Sequence, residues 1–173
     1  MIDRERLRRI FVVGFMGAGK TSVGEALARL LGYRFVDLDR EIEREAARTI
    51  PEIFREDGEP HFRRLEAKAL RAAGSHEDVV IACGGGTLSL WENRDFIHRT
   101  GISVWLDAPL DVMMERCRQG EHRPLLADRS RMEALLAERL PSYQQCDLRV
   151  GAGAEPPPAI AARVAAMISR VAR

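Results

Sequence analysis

Apolar positions along the chain follow two alternating periods. Ile10-Phe11-Val12-Val13, Tyr33 to Val36, Val79-Val80-Ile81-Ala82-Cys83, Ile102 to Leu106 and Asp147 to Val150 are short apolar stretches in which β-branched residues recur, as strands require. Between them the spacing changes to that of helix faces. Val23, Ala26, Leu27, Leu30 and Leu31 fall on one face of a first helix, and a polar-faced helix is expected through Arg40-Glu41-Ile42-Glu43. Thr49 to Gly58 predicts a short helical piece with Ile50, Ile53 and Phe54 inward, followed by a helix that turns Phe62, Leu65, Ala69 and Leu70 inward. Leu90 to Thr100 predicts a helix closed by Gly101, Pro109 starts another through Cys117, and Ser130 caps one running to Leu140. Ile160, Val164, Met167, Ile168 and Val171 form a last amphipathic helix. Met113-Met114 and Trp91 read as packing residues, and Cys83 as a small buried one. Strands alternating with helices predict an α/β fold with a parallel sheet covered on both faces, in one domain over residues 1–173.

The chemistry sits where these strands end. Gly14-Phe15-Met16-Gly17-Ala18-Gly19-Lys20-Thr21 fits G-x-x-x-x-G-K-[ST] between the first strand and the first helix, the context in which that pattern cradles phosphates. Backbone N–H groups of Gly17, Ala18 and Gly19, with Ser22 behind them, meet phosphate oxygens at a helix N-terminus. Lys20 reaches the β- and γ-phosphates, and the Thr21 hydroxyl ligates Mg²⁺. Such a loop also wants an acid from another strand end, and Asp37 is preferred over Asp107, whose Ala108-Pro109 sequel reads as a helix start. Asp39 has two readings, a helix cap or the carboxylate that accepts a substrate hydroxyl's proton. Arg63 and Arg64 are either a solvated pair or, with Glu66 aiming Arg63, a fork for an anionic acceptor. Gly84-Gly85-Gly86 follows a buried strand and offers backbone close to a ligand. Ligands of such sheets bind beyond the carboxyl ends of the strands, where these three features meet.

Bulk properties narrow the partners. Hydrophobic residues make up 46% and charged residues 31%, the net charge is +1, and the basic residues are spread, so nucleic acid is not the expected partner. Their one local crowding is Arg116, Arg118, Arg123, Arg129 and Arg131, a candidate lid over about residues 118–130. Cys83, Cys117 and Cys146 lack metal-ligand spacing and suit a reduced cytoplasm. His61, His76, His98 and His122 each stand alone. No signal peptide or membrane-spanning stretch is read, and with no exposed apolar helix evident the expected form is a monomer.

These motifs, in this order, resemble the shikimate kinase family of nucleoside-monophosphate-kinase-like P-loop enzymes. The resemblance runs from about Ile10 to Val150 and also includes Phe62-Arg63-Arg64-Leu65-Glu66, Arg123-Pro124-Leu125-Leu126 and Arg139-Leu140-Pro141-Ser142-Tyr143. It implies a five-stranded parallel sheet flanked by helices, a substrate-binding segment over about residues 37–66 and a mobile lid. It also implies transfer of the γ-phosphoryl group of ATP, with Mg²⁺, to the 3-hydroxyl of shikimate. On that resemblance Asp39 binds ring hydroxyls and is the base, and Arg63 and Arg139 grip the carboxylate, with Gly84, Gly85 and Gly86 beside the ring. Arg123 comes in with the lid onto the transferring phosphate, Arg116 lies near adenine, and Thr21 and Asp37 hold Mg²⁺. The alternatives are a kinase of another hydroxylated acid such as gluconate, or of a nucleotide, and a non-catalytic nucleotide-binding module.

Overall fold

The computed structural model describes residues 4–119 and 128–172. Five strands, β1 (Arg9–Val13), β2 (Arg34–Asp37), β3 (Val79–Ala82), β4 (Ile102–Asp107) and β5 (Leu148–Gly151), pair in parallel in the spatial order β2-β3-β1-β4-β5. The inner strands are apolar along almost their whole length because helices deny both sheet faces to water. Ile10, Phe11, Val79, Val80, Ile81, Ile102 and Val104 are wholly buried. At the edge, β5 alternates instead, burying Leu148 and Val150 and exposing Arg149.

Helices α1 (Lys20–Leu31), α2 (Leu38–Ala46), α3 (Ile50–Gly74), α4 (Trp91–Thr100), α5 (Leu110–Gln119), α6 (Arg129–Tyr143) and α7 (Pro157–Val171) flank the sheet. α1 packs on α7, and α3 packs on α2 and α4. From β1 the chain goes out to β2, returns to β3, then crosses β1 to β4. Strand order therefore reverses beside β1, and the loops after β1 and β3 open into one crevice there.

Several local expectations change. Leu30 is 57% exposed, because α1 turns Val23, Gly24, Leu27 and Ala28 inward. Trp91 is 61% exposed at the first turn of α4 rather than packed. Gly101 does end α4, but in an extended conformation, and its reason is space: a Cβ there would collide with the Arg9 carbonyl and the Phe11 ring. Asp128, not Ser130, caps α6, its carboxylate accepting from the N–H groups of Ser130 and Arg131. The two helical pieces expected between Thr49 and Leu70 are continuous as α3 but broken at Gly58, which leaves helical geometry at φ 80° and ψ 169°. Across that break the Phe54 and Phe62 rings lie 4.7 Å apart.

Candidate active site

The loop from Gly14 to Gly19 takes its shape from backbone that only glycine adopts readily: Gly14, Gly17 and Gly19 lie at φ 149°, 75° and 94°. Gly19 stands at the N-cap of α1 without a capping side chain, so the first N–H groups of the helix stay directed at an anion. Lys20 opens the helix, and its Nζ donates to the Phe15 carbonyl at 2.9 Å, folding back over the loop. Thr21 Oγ1 donates to Asp37 Oδ2 at 2.6 Å, joining the loop to the end of β2. Asp37 also caps α2, accepting from Arg40 N at 3.2 Å, so the capping role weighed for Asp39 belongs to Asp37. Asp107 is engaged at the other edge of the sheet by Arg149, 2.5 Å from Nη2.

A cavity of about 800 Å³ opens over this loop. One end is lined by Asp39, Cys83 and Lys20, the other by Arg116, Gln119 and the segment Ala154 to Pro157. The Gly151 to Pro158 linker, given no part by its composition, thus forms one wall. Arg116 holds it there: Nη1 donates to the carbonyls of Gly17 and Ala18 at 3.2 Å, and Nη2 to Gly153 at 2.7 Å. Burial drives the Cys83 thiol well above its ordinary pKa, so it is a packing group rather than a nucleophile.

Beside the Asp39 end lies Gly84-Gly85-Gly86. None of the three adopts a positive φ; a Cβ on each would instead crowd a polar side chain from another element. A Cβ on Gly84 would lie 2.9 Å from Glu66 Oε1 and 3.1 Å from Asp39 Oδ1. One on Gly85 would lie 3.1 Å from Arg139 Nη1 and 3.5 Å from Met16 N of the phosphate loop. One on Gly86 would lie 2.6 and 2.7 Å from the two terminal nitrogens of Arg63. A single tripeptide therefore gathers a carboxylate, two guanidinium groups and the edge of the phosphate loop.

Each arginine is held from behind. Arg63 Nη1 donates to Glu66 Oε2 at 2.8 Å, while Nε and Nη2 reach Glu59 Oε1 at 3.1 and 3.0 Å. Burial weighs against the Arg63 cation, but the two carboxylates outweigh it and its pKa rises. Arg139 lies over the Phe15 ring at 5.7 Å. One turn further along α6, Tyr143 donates its hydroxyl to the Gly85 carbonyl at 2.6 Å and stacks on Trp105. Burial pushes the Tyr143 phenol up to about 12, against the opposing charge of Arg139. Arg64 faces solvent near His61, the surface reading of that pair member.

Arg123, with Pro124 to Leu126 and His122, lies outside the described residues, as does the centre of the expected lid. Of the other lid arginines, Arg118 and Arg129 sit in exposed ion pairs with Glu115 and with Asp111 and Glu133, and Arg131 is exposed. Sequence reading passed over Thr87, Glu59 and the Tyr143 hydroxyl. Thr87 directly follows the glycines, Glu59 is one helical turn before Arg63 and Tyr143 one turn after Arg139, so adjacency and i,i+4 spacing were the available signals.

The tripeptide lies beside the edge of the phosphate loop, with Met16 N 3.5 Å from where a Cβ on Gly85 would stand. A phosphate loop with a carboxylate and two guanidinium groups gathered beside it, on this sheet order, is the arrangement of the P-loop kinases of small molecules. Comparison with known proteins narrows the class: the family model for shikimate kinase matches residues 16–169, and the chain belongs to the shikimate kinase family. A shikimate kinase from Cereibacter sphaeroides is 48% identical over 152 residues, 86% of this chain and 76% of that protein. One from Persephonella marina is 41% identical over 152 residues, 87% of this chain and 93% of the relative. Among solved structures, a shikimate kinase from Acinetobacter baumannii in complex with shikimate superposes with a TM-score of 0.91 at 36% identity, covering 96% of this chain and 95% of the other.

Proposed function

We propose that this kinase transfers the γ-phosphoryl group of ATP to the 3-hydroxyl of shikimate, releasing ADP and shikimate 3-phosphate. The observation that carries the reading is the gathering of Asp39, Arg139 and Arg63 around Gly84, Gly85 and Gly86, where a Cβ on Gly85 would also lie 3.5 Å from Met16 N of the phosphate loop. Two guanidinium groups suit the carboxylate of a small hydroxylated acid, which Arg binds in a planar two-bonded fork. Glu59 and Glu66 engage three of the five N–H groups of Arg63, leaving one on each terminal nitrogen, on the edge that crosses Gly86.

The chemistry is positioning and charge neutralisation. Asp39 orients the acceptor hydroxyl and takes its proton as the new O–P bond forms and the bond to the β-phosphate oxygen breaks. Lys20 and the N–H groups of Gly17, Ala18, Gly19, Thr21 and Ser22 hold the donor phosphates, and Arg123 brings further positive charge to the transferring group. Arg116 and the wall from Ala154 to Pro157 enclose the adenine end. Thr21 and Asp37 offer two side-chain oxygen positions beside the phosphate loop, so a cation held there would take its remaining ligands from phosphate and water. The oxygen donors of Thr21 and Asp37, 2.6 Å apart, suit Mg²⁺ in that arrangement. When bound, Mg²⁺ neutralises charge on the β- and γ-phosphates. The three cysteines are free thiols, as a reduced cytoplasm would keep them.

The test is ADP release with ATP and Mg²⁺, run with shikimate and, beside it, with gluconate and nucleoside monophosphates. Shikimate-dependent release is expected; release only with another acceptor overturns the substrate. Asp39→Asn is expected to cut kcat by about 10²- to 10⁴-fold while ATP affinity holds. Near-normal turnover would remove Asp39 as the base.

A further inference from the structure

Glu66 is a carboxylate on α3 that is only 1% exposed. A buried carboxylate is tolerated only when both oxygens are occupied. Arg63 supplies one partner, to Oε2, and Thr87 the other: its Oγ1 donates to Glu66 Oε1 at 2.7 Å. Thr87 lies in the 3₁₀ turn Thr87–Ser89 that follows the glycines, and it too is wholly buried.

The hydroxyl is aimed by its own surroundings. Thr87 N donates to the Gly84 carbonyl at 3.2 Å, closing the turn. Its carbonyl accepts from Asn93 Nδ2 at 3.0 Å, and Asn93 Oδ1 accepts from Arg71 Nη1 at 3.2 Å. Asn93 is wholly buried as well. Glu66, Thr87 and Asn93 thus make one interior polar chain, running from α4 through the turn to α3 and ending on Arg63. A β-branched side chain with few χ1 choices is well suited to its centre. The missing Cβ of Gly84 leaves the room in which Glu66 Oε1 and Thr87 Oγ1 meet, at 2.9 and 3.3 Å from where that carbon would lie.

Arg63 stands between two acids, buried Glu66 and Glu59, whose side chain is 61% exposed. Which of them sets the direction of the guanidinium fork depends on how firmly Glu66 is held. We propose that Thr87 is a positioning residue for acceptor binding: its hydroxyl fixes the Glu66 carboxylate, and Glu66 in turn fixes the Arg63 fork across Gly86. Without that hydroxyl, Glu66 Oε1 loses the donor that Thr87 supplies while remaining buried. The carboxylate then turns both oxygens onto Arg63 and draws the fork off the tripeptide. The inference rests on Arg63 as the grip for the acceptor carboxylate.

Steady-state kinetics of Thr87→Val, Thr87→Ser, Arg63→Ala and the Thr87→Val/Arg63→Ala double variant test it. Thr87→Val, which keeps shape and loses the hydroxyl, is expected to raise the KM for shikimate roughly three- to tenfold, the size of one ordinary hydrogen bond, because Thr87 reaches the acceptor only through Glu66 and Arg63. Its KM for ATP should move by less than about twofold, since Thr87 makes no contact with the phosphate loop among its hydrogen bonds. Thr87→Ser, which keeps the donor, should restore most of the affinity. In the Arg63→Ala background Thr87→Val should add nothing, because the two act through one fork. An unchanged shikimate KM in Thr87→Val, equal losses in Val and Ser, or an additive double variant would each overturn the proposal. If Thr87→Val does not fold, Thr87→Ala carries the test, since it also removes the donor: a raised shikimate KM that Thr87→Ser restores supports the proposal, and a wild-type value overturns it. Arg63→Ala separates the two readings. Should it raise KM while Thr87→Val does not, only the role of Thr87 falls; should it leave KM unchanged, Arg63 itself is not the grip.

Discussion

A methyl group at position 86 would stand 2.6 Å from Arg63 Nη2, yet what it meets is the far end of a long side chain rather than backbone. Gly86→Ala should therefore fold almost normally while displacing the fork. The expected outcome is a KM for shikimate raised on the order of ten- to a hundredfold, with melting temperature little changed, since small misplacements of a positioning group are costly to catalysis. Equal kinetics in the two proteins would mean that the fork is not used there. At Gly85 the nearest atom is Arg139 Nη1 at 3.1 Å, a looser fit, so alanine there should do less. The sequence announced that three glycines in succession meant more than a turn, because a turn needs one. It did not disclose the reason, because room for a side chain from another helix is a property of packing, and composition at position 86 carries no trace of Arg63. Asp37 and Thr21 were legible for the opposite reason: a strand end and a phosphate loop fix where both must be.

Among the elements, α3 shows how local chemistry divides a helix whose hydrogen-bonding nearly bridges the gap. Thr49 and Glu52 form a reciprocal capping box at its start, and Gly58 with Pro60 breaks it two turns later. The break tilts the segment carrying Ile53 and Phe54 away from the segment carrying Arg63 and Glu66. Only glycine takes the φ and ψ found at position 58 without strain, so Gly58→Ala should destabilise the protein by about 1–3 kcal/mol, measured as a lower urea midpoint at unchanged slope. Stability within error of wild type would show that the break can be straightened. Strands and helix starts could be read from periodicity and caps, since both depend on neighbours in sequence. The inward face of α1 was misjudged by one position at Leu30, and Trp91 was assigned to packing, because at the end of a helix pattern alone does not reveal where the neighbouring layer stops.

For the molecule as a whole, the buried acids of the α6–β5 corner set an alkaline limit. Burial raises the Tyr143 phenol from 10.0 to about 12. Burial also raises the Cys146 thiol from 9.0 to about 12, with Asp147 adding to the rise and Ser103 opposing it. Both groups hold their protons more tightly folded than unfolded, so their contribution is whole below the unfolded values and is lost as pH climbs from about 9 through about 12. Melting temperature should fall across that window, and Tyr143→Phe should flatten the part above pH 10; a variant that melts with the wild-type pH dependence would exclude Tyr143 as a source. The same corner gives the protein a built-in optical reporter. Of its two tryptophans, Trp91 is exposed, whereas Trp105 is buried between the Tyr143 ring at 5.9 Å and the Arg149 guanidinium at 4.8 Å. Tyr143 is bonded to the Gly85 carbonyl, so the indole of Trp105 is two contacts away from Gly85. Replacing Trp91 with phenylalanine would leave a single emitter wired to the substrate loop, and its fluorescence should shift when shikimate, but not ADP alone, is added. Acceptor binding could then be followed on the unlabelled protein, without any turnover at all.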